Sequence, residues 1–156
     1  MDLDLEILRQ APKVVLHDHL DGGLRPATVI ELADQYGYQG LPSTDVAELA
    51  QWFHLGADRR DLGLYLETFE HTVGVMQTAD ACRRVAYECG QDLAADGVVY
   101  AEIRYAPSLM TAEGLSLDEV IEATTEGFNQ ASAESGIIIG TLVTAMRTSQ
   151  DSLAVA

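Results

Sequence analysis

The sequence predicts an α/β fold in which helices cover a parallel sheet, and three observations predict it. Three runs rich in β-branched residues, Lys13 to His17, Val98 to Tyr105 and Ile137 to Ala145, are each largely apolar rather than cleanly alternating. That is the pattern of strands buried on both faces. Helical apolar periodicity fills the intervals between them. The order strand, helices, strand, helix, strand is the one from which parallel sheets are built.

Each element has a local reason. After a short mixed lead, Lys13-Val14-Val15-Leu16-His17 follows Pro12 and ends in polar residues and Gly22-Gly23, so it reads as a buried strand. Pro26 opens a helix through Tyr36, with proline tolerated in the first turn and Gly37 just past the end. Asp45, with Glu48 three residues on, gives a capping-box-like start to a short helix ending near Phe53, and a polar loop follows over 56–61. Leu62, Tyr65, Leu66, Phe69, Val73 and Met76 then fall at helical spacing and form one apolar face. Thr78 caps a helix through Ala95, stopped by Gly97. Pro107 halts the second strand, and Ser116 with Glu119 forms another capping box for a helix running to Gly136. Beyond the third strand, Ser149 to Ala156 reads as a cap and the start of a further helix with no ending. The expectation is a chain truncated inside a repeating β/α pattern.

Composition excludes several functions. The 156 residues carry 25 acidic and 9 basic side chains, a formal charge of -16, with no basic cluster beyond Arg59-Arg60 and Arg83-Arg84. Such a chain repels a phosphate backbone, so neither nucleic acid nor an anionic membrane is an expected partner. With 47% hydrophobic residues it is not a disordered acidic tail. The N-terminus is acidic where a secretory signal is basic, and the longest apolar stretch, Ile137 to Met146, is too short to span a membrane. A cytoplasmic protein is expected. Cys82 and Cys89 lie on one helix, about 10 Å apart along its axis, so they cannot bridge and read as small buried apolar residues.

The chemistry is concentrated in His17-Asp18-His19-Leu20-Asp21-Gly22, at the end of the first strand. In an extended segment residues two apart share a side, so His17 and His19 converge while Asp18 faces away. Two imidazoles at the C-terminal end of a parallel strand stand where β/α enzymes build their sites, and neutral imidazole suits zinc. A pair of hydrogen-bonded histidines near a turn is the other arrangement this spacing allows. Asp21 either accepts from ligand hydroxyls or satisfies its own turn before Gly22. The stripe of Leu62, Tyr65, Leu66 and Phe69 is either core packing or a cover over a pocket. Glu102 and Arg104 are charges on one face of an apolar strand, expected to form a charge-paired network that orients the site. His54 and His71 lie away from strand ends and read as structural or surface residues.

These residues resemble the adenosine deaminases of the metal-dependent amidohydrolase superfamily. The resemblance begins at Val15-Leu16-His17-Asp18-His19-Leu20-Asp21-Gly22-Gly23, with Leu24-Arg25-Pro26-Ala27-Thr28 after it. It continues through Gly97 to Pro107 at the second strand and Leu142 to Arg147 at the third. It implies a (β/α)8 TIM-type barrel, present here as its first three parallel strands, since a whole barrel takes about 250 residues. It implies a single zinc held in part by His17 and His19, and a purine nucleoside substrate, adenosine converted by water to inosine and ammonia. Asp21 is then the ribose contact, where relatives acting on the free base tend to carry Glu. Leu62, Tyr65, Leu66 and Phe69 become a lid helix over the purine, Tyr65 and Phe69 foremost, and Met146 a pocket residue. Thr148 departs from the pattern, which usually continues Met-Arg-His. The family's third histidine ligand, its His-Ala-Gly-Glu segment with the proton-donating glutamate, its next catalytic histidine and its late metal-binding aspartate have no counterpart here. The chain by itself is therefore expected to be inactive, with zinc weakly held or absent. The alternatives are a sister deaminase acting on adenine or a modified purine nucleoside, and a non-catalytic binding module.

Overall fold

In the computed structural model, which describes residues 4–58, 60–149 and 152–156, the sheet is built from β1 (Lys13–His19), β2 (Val98–Tyr105) and β3 (Ile138–Val143). The strands pair in the order β1-β2-β3, all parallel. The sheet is open, with β1 and β3 at its edges. The helices are α1 (Leu5–Gln10), α2 (Pro26–Tyr36), α3 (Val46–Ala57), α4 (Leu62–Gly74), α5 (Ala79–Ala95), α6 (Leu117–Ser135) and α7 (Ser152–Val155). Short 3-10 turns, Leu20–Gly22 and Pro107–Met110, leave the ends of β1 and β2.

The helix signals act as their chemistry dictates. Pro26 opens α2, and Gly37 closes it at φ 76°, a left-handed conformation that glycine adopts freely. The Ser116 hydroxyl accepts from Glu119 N–H at 3.2 Å, while the Glu119 carboxylate accepts from Ser116 N–H at 2.8 Å, a complete capping box. At Asp45 only half of that motif forms. The Asp45 carboxylate accepts from Ala47 and Glu48 N–H, but Glu48 turns away to the Ser43 hydroxyl at 2.7 Å. α3 also runs four residues past Phe53, and α1, bound by an Asp4 cap, occupies a lead that carried no element in the prediction. The further helix foreseen after Ser149 is α7; Gln150 and Asp151 lie outside the described residues.

One prediction about the strands is corrected. β2 alternates: Ala101, Ile103 and Tyr105 are buried, whereas Tyr100, Glu102 and Arg104 are half-buried. The cause is that α5 and α6 cover one face of the sheet. The other face presents Val14, Leu16 and Ile138, each more than half exposed. α5 and α6 approach so closely that a Cβ on Gly127 would stand 2.9 Å from both Ala86 Cβ and Tyr87 N and would press on the Arg83 carbonyl. Cys82 and Cys89 are free thiols; burial pushes both up to about 12. Among the described residues no helix is long and apolar enough to cross a membrane.

Candidate active site

The site is built at the C-terminal ends of the three strands, and a kink in β1 sets its geometry. Leu16 pairs with Glu102 and Asp18 with Ile103, so His17 is an extra residue in a bulge, and its φ is 69°. A non-glycine residue in that region costs about 1–2 kcal/mol. Strict alternation would have placed His19 on the face of Val15, which packs against the core. The bulge instead sets His19 opposite Arg104, on the face of Leu16 and Glu102. The two imidazoles do converge, with ring centroids 5.3 Å apart. They meet through a bulge, not through the two-residue period of an extended strand.

Arg104 ties the strand ends together. Its Nη1 donates to His17 Nε2 at 2.8 Å and its Nη2 to Thr144 Oγ1 at 3.0 Å. The expected network between Glu102 and Arg104 does not form. Glu102 accepts from the Tyr100 hydroxyl at 3.1 Å, and no ion pair joins the two among the described residues. Arg104 reaches across to β1 because the bulge brings His17 within its length.

Asp21 sits in the turn after β1, anchored by fully buried Leu20. It is only 7% exposed, and its Oδ1 has no hydrogen-bond partner. His19 Nδ1 lies 3.7 Å from that oxygen, beyond hydrogen-bond length. Burial raises the Asp21 pKa above the ordinary carboxylate value, opposed by its own backbone N–H and by the charges of His19 and Arg104. A buried acceptor left open is costly and calls for a donor from outside the chain.

His19, Asp21 and Arg104 share a cavity of about 330 Å³ with Tyr65, Leu66, Phe69 and Met146. The Tyr65 and Phe69 rings meet edge to face at 5.2 Å. Gly22 leaves room for Phe69 to lie on the turn, since a Cβ there would stand 3.3 Å from the ring. Leu62 does not line the cavity; it is 72% exposed at the outer end of α4. Nor does Thr148, which is exposed in the turn beyond Met146. Tyr105, Ala106, Leu109 and Thr144 complete the wall and were not foreseen. The strand-end rule that singled out His17 would have found Thr144, which follows β3 directly. A second cavity of about 170 Å³ lies behind Tyr65 and Phe69 and shares Asp21 with the first. His54 is exposed on α3, while His71 Nδ1 pairs with the Tyr38 hydroxyl at 3.0 Å and its ring packs against Trp52.

The profile of the family described as adenosine deaminase matches residues 12–155. The chain belongs to the adenosine deaminase family. It is 59% identical over 151 residues to an adenosine deaminase of Mycobacteroides abscessus, a match that covers 94% of this chain and 42% of that protein. The chain thus spans about two-fifths of the length of such relatives. Among solved structures, adenine deaminase from Arthrobacter aurescens superposes with a TM-score of 0.70 at 26% identity, over 85% of this chain and 38% of the other. Arabidopsis ADAL complexed with GMP gives 0.75 at 25% identity, over 96% and 45%. The adenosine deaminase family suggests a metal cofactor, and two imidazoles are donors of the kind a zinc takes. His17 Nε2 accepts a hydrogen bond, so its lone pair is already directed at a cation. The number of donors falls short, because no group of three His, Cys, Asp or Glu side chains gathers among the described residues, and a catalytic zinc takes three.

Proposed function

We propose that this chain supplies the front of a purine-nucleoside deaminase site. His17 and His19 are two ligands of a zinc ion, Asp21 accepts from a sugar hydroxyl, and Tyr65, Leu66, Phe69 and Met146 wall the purine. When bound, the zinc supplies hydroxide at neutral pH by lowering the pKa of its water to about 7. The reaction is hydrolysis of adenosine to inosine and ammonia. The observation that carries this reading is the open Oδ1 of Asp21, buried in the cavity that also holds His19 and the two aromatic rings. Ribose hydroxyls offer that oxygen the donor it lacks. Tyr65 and Phe69 exclude water from the base and present flat apolar surface to it.

The chain by itself is inactive. Two imidazoles fall short of the three ligands a catalytic zinc needs. Asp21 is the one carboxylate lining the cavity among the described residues, and its role as acceptor leaves no acid to protonate the ring. The test is to incubate the purified chain with zinc and adenosine, following inosine and ammonia, and to measure binding of adenosine and adenine. No turnover is expected, with adenosine bound about tenfold or more tighter than adenine. Zinc-dependent turnover would overturn the inactivity, and preference for adenine the role of Asp21. The likeness to adenine deaminase keeps that second outcome a real competitor. Purine binding indifferent to zinc would favour a non-catalytic module.

A further inference from the structure

We propose that the smaller cavity, behind Tyr65 and Phe69, is a subsite for an uncharged, apolar group carried on the sugar of the ligand, and that it excludes a phosphate there. The inference rests on the reading of Asp21 as the acceptor of a sugar hydroxyl. Asp21, Tyr65 and Phe69 line both cavities, so the two rings form the partition and the carboxylate stands where the cavities meet. A purine against the rings in the larger cavity, with its sugar on the open Oδ1, therefore has that sugar at the junction. The 5′ carbon is the one carbon of ribose outside the ring. A group attached there extends past the sugar and into the second cavity.

The lining decides what that group can be. Leu24 just before α2 and Pro26 at its start, with Phe53 and Ala57 of α3, give walls without charge. Thr68 and Thr72 of α4 also line the cavity, but their hydroxyls already donate to the Tyr65 and Phe69 carbonyls, at 2.7 and 3.2 Å. They are left as acceptors only. No lysine, arginine or histidine lines the cavity among the described residues, and apart from the Tyr65 phenol no side chain brings a free donor. A phosphate would meet the Asp21 carboxylate with no cation to offset it, so repulsion and desolvation both oppose it. A short alkyl or alkylthio chain needs no partner and gains by leaving water. There is room for one, since an apolar cavity of about 150 Å³ accepts benzene and this one is about 170 Å³.

The experiment measures binding to the whole chain by calorimetry, with adenosine, adenine, 5′-deoxyadenosine, 5′-deoxy-5′-methylthioadenosine and adenosine 5′-monophosphate. The methylthio compound should bind about tenfold tighter than 5′-deoxyadenosine, since the two differ only by a buried apolar group equivalent to about two methylenes. The monophosphate should bind about tenfold or more weaker than adenosine. Ala57, exposed at the rim of the smaller cavity and no part of the larger, allows the subsite to be narrowed by itself. Ala57→Leu should abolish the methylthio gain and leave adenosine binding unchanged, and its exposed position spares the fold. Equal binding of the methylthio and deoxy compounds, a gain that survives Ala57→Leu, or a monophosphate bound as tightly as adenosine would each refute the subsite. If adenosine is still preferred to adenine in the same measurements, the Asp21 reading stands without it. If adenine binds as tightly as adenosine, the sugar is not held at Asp21, and the subsite falls with that reading.

Discussion

Replacing His17 by alanine and, separately, by glycine separates the backbone from the ring. Both variants lose the bond to Arg104 and the contact with His19. Alanine keeps a Cβ at φ 69°, whereas glycine does not. The left-handed placement costs an L-residue about 1–2 kcal/mol, and glycine gives back roughly 0.4–1 kcal/mol through its freer unfolded chain. The glycine variant should therefore be the more stable of the two by about 1 kcal/mol. For a chain of this length that is about 2–4 °C in Tm. Urea and thermal unfolding followed by circular dichroism would measure it, with equal m-values confirming that the unfolded states are comparable. A glycine variant no more stable than the alanine variant would refute the claim that β1 carries a strained bulge at His17, and with it the account of how His19 reaches the cavity.

Other expectations follow from particular contacts. Gly127→Ala gains about 1 kcal/mol of helix propensity but forces α5 and α6 apart, at about 1–3 kcal/mol, so a net loss in urea unfolding is expected; equal or higher stability would contradict the packing. Asp21→Asn removes a buried charge, so the ligand-free chain should gain up to about 1 kcal/mol while adenosine binding weakens about tenfold or more, both readable by thermal shift with and without nucleoside. Cys82 and Cys89, with thiols held up to about 12, should resist a thiol-specific reagent at pH 8 until urea unfolds the chain; rapid labelling of folded protein would be the contrary result. Glu119 is held below its ordinary pKa by the Ser116 backbone and hydroxyl. Its contribution is therefore complete above the unfolded carboxylate value and is lost as pH falls through the lower folded one. Glu119→Gln should flatten the acid limb of the stability curve, and an unchanged limb would argue against the capping box.

Much of the fold was legible because its signals are local. Pro26 and Gly37 bracket α2, Thr78 starts α5, and the Ser116–Glu119 pair starts α6, each through groups within a few residues of one another. Where a second partner competed, local reasoning failed: Glu48 had Ser43 within reach and left the capping box half made. α1 was invisible for a different reason, since it buries no residue and so carries no apolar stripe to read. The candidate site was legible at His19, Asp21, Tyr65, Leu66, Phe69 and Met146, which strand-end position, helical spacing and resemblance singled out and which one cavity unites. Thr144 and Leu109 belong to that cavity only through tertiary contact, and a leucine in a turn gives no sign of it.

The bulge explains why the remainder was not legible. No glycine or asparagine in Lys13 to His19 announces a left-handed residue, and the histidines and aspartate there, though they enter that region more often than other side chains, do not single out His17. Local preference favours an unbroken strand, which would place His19 on the core face. Two further departures occur within reach of it: Asp21 keeps a buried oxygen without a donor, and Arg104 spends a guanidinium on an imidazole. Each is unfavourable by itself. Strain, an open acceptor and an arginine paired with an imidazole thus gather beside one cavity, and departures from local preference of this kind concentrate at functional sites.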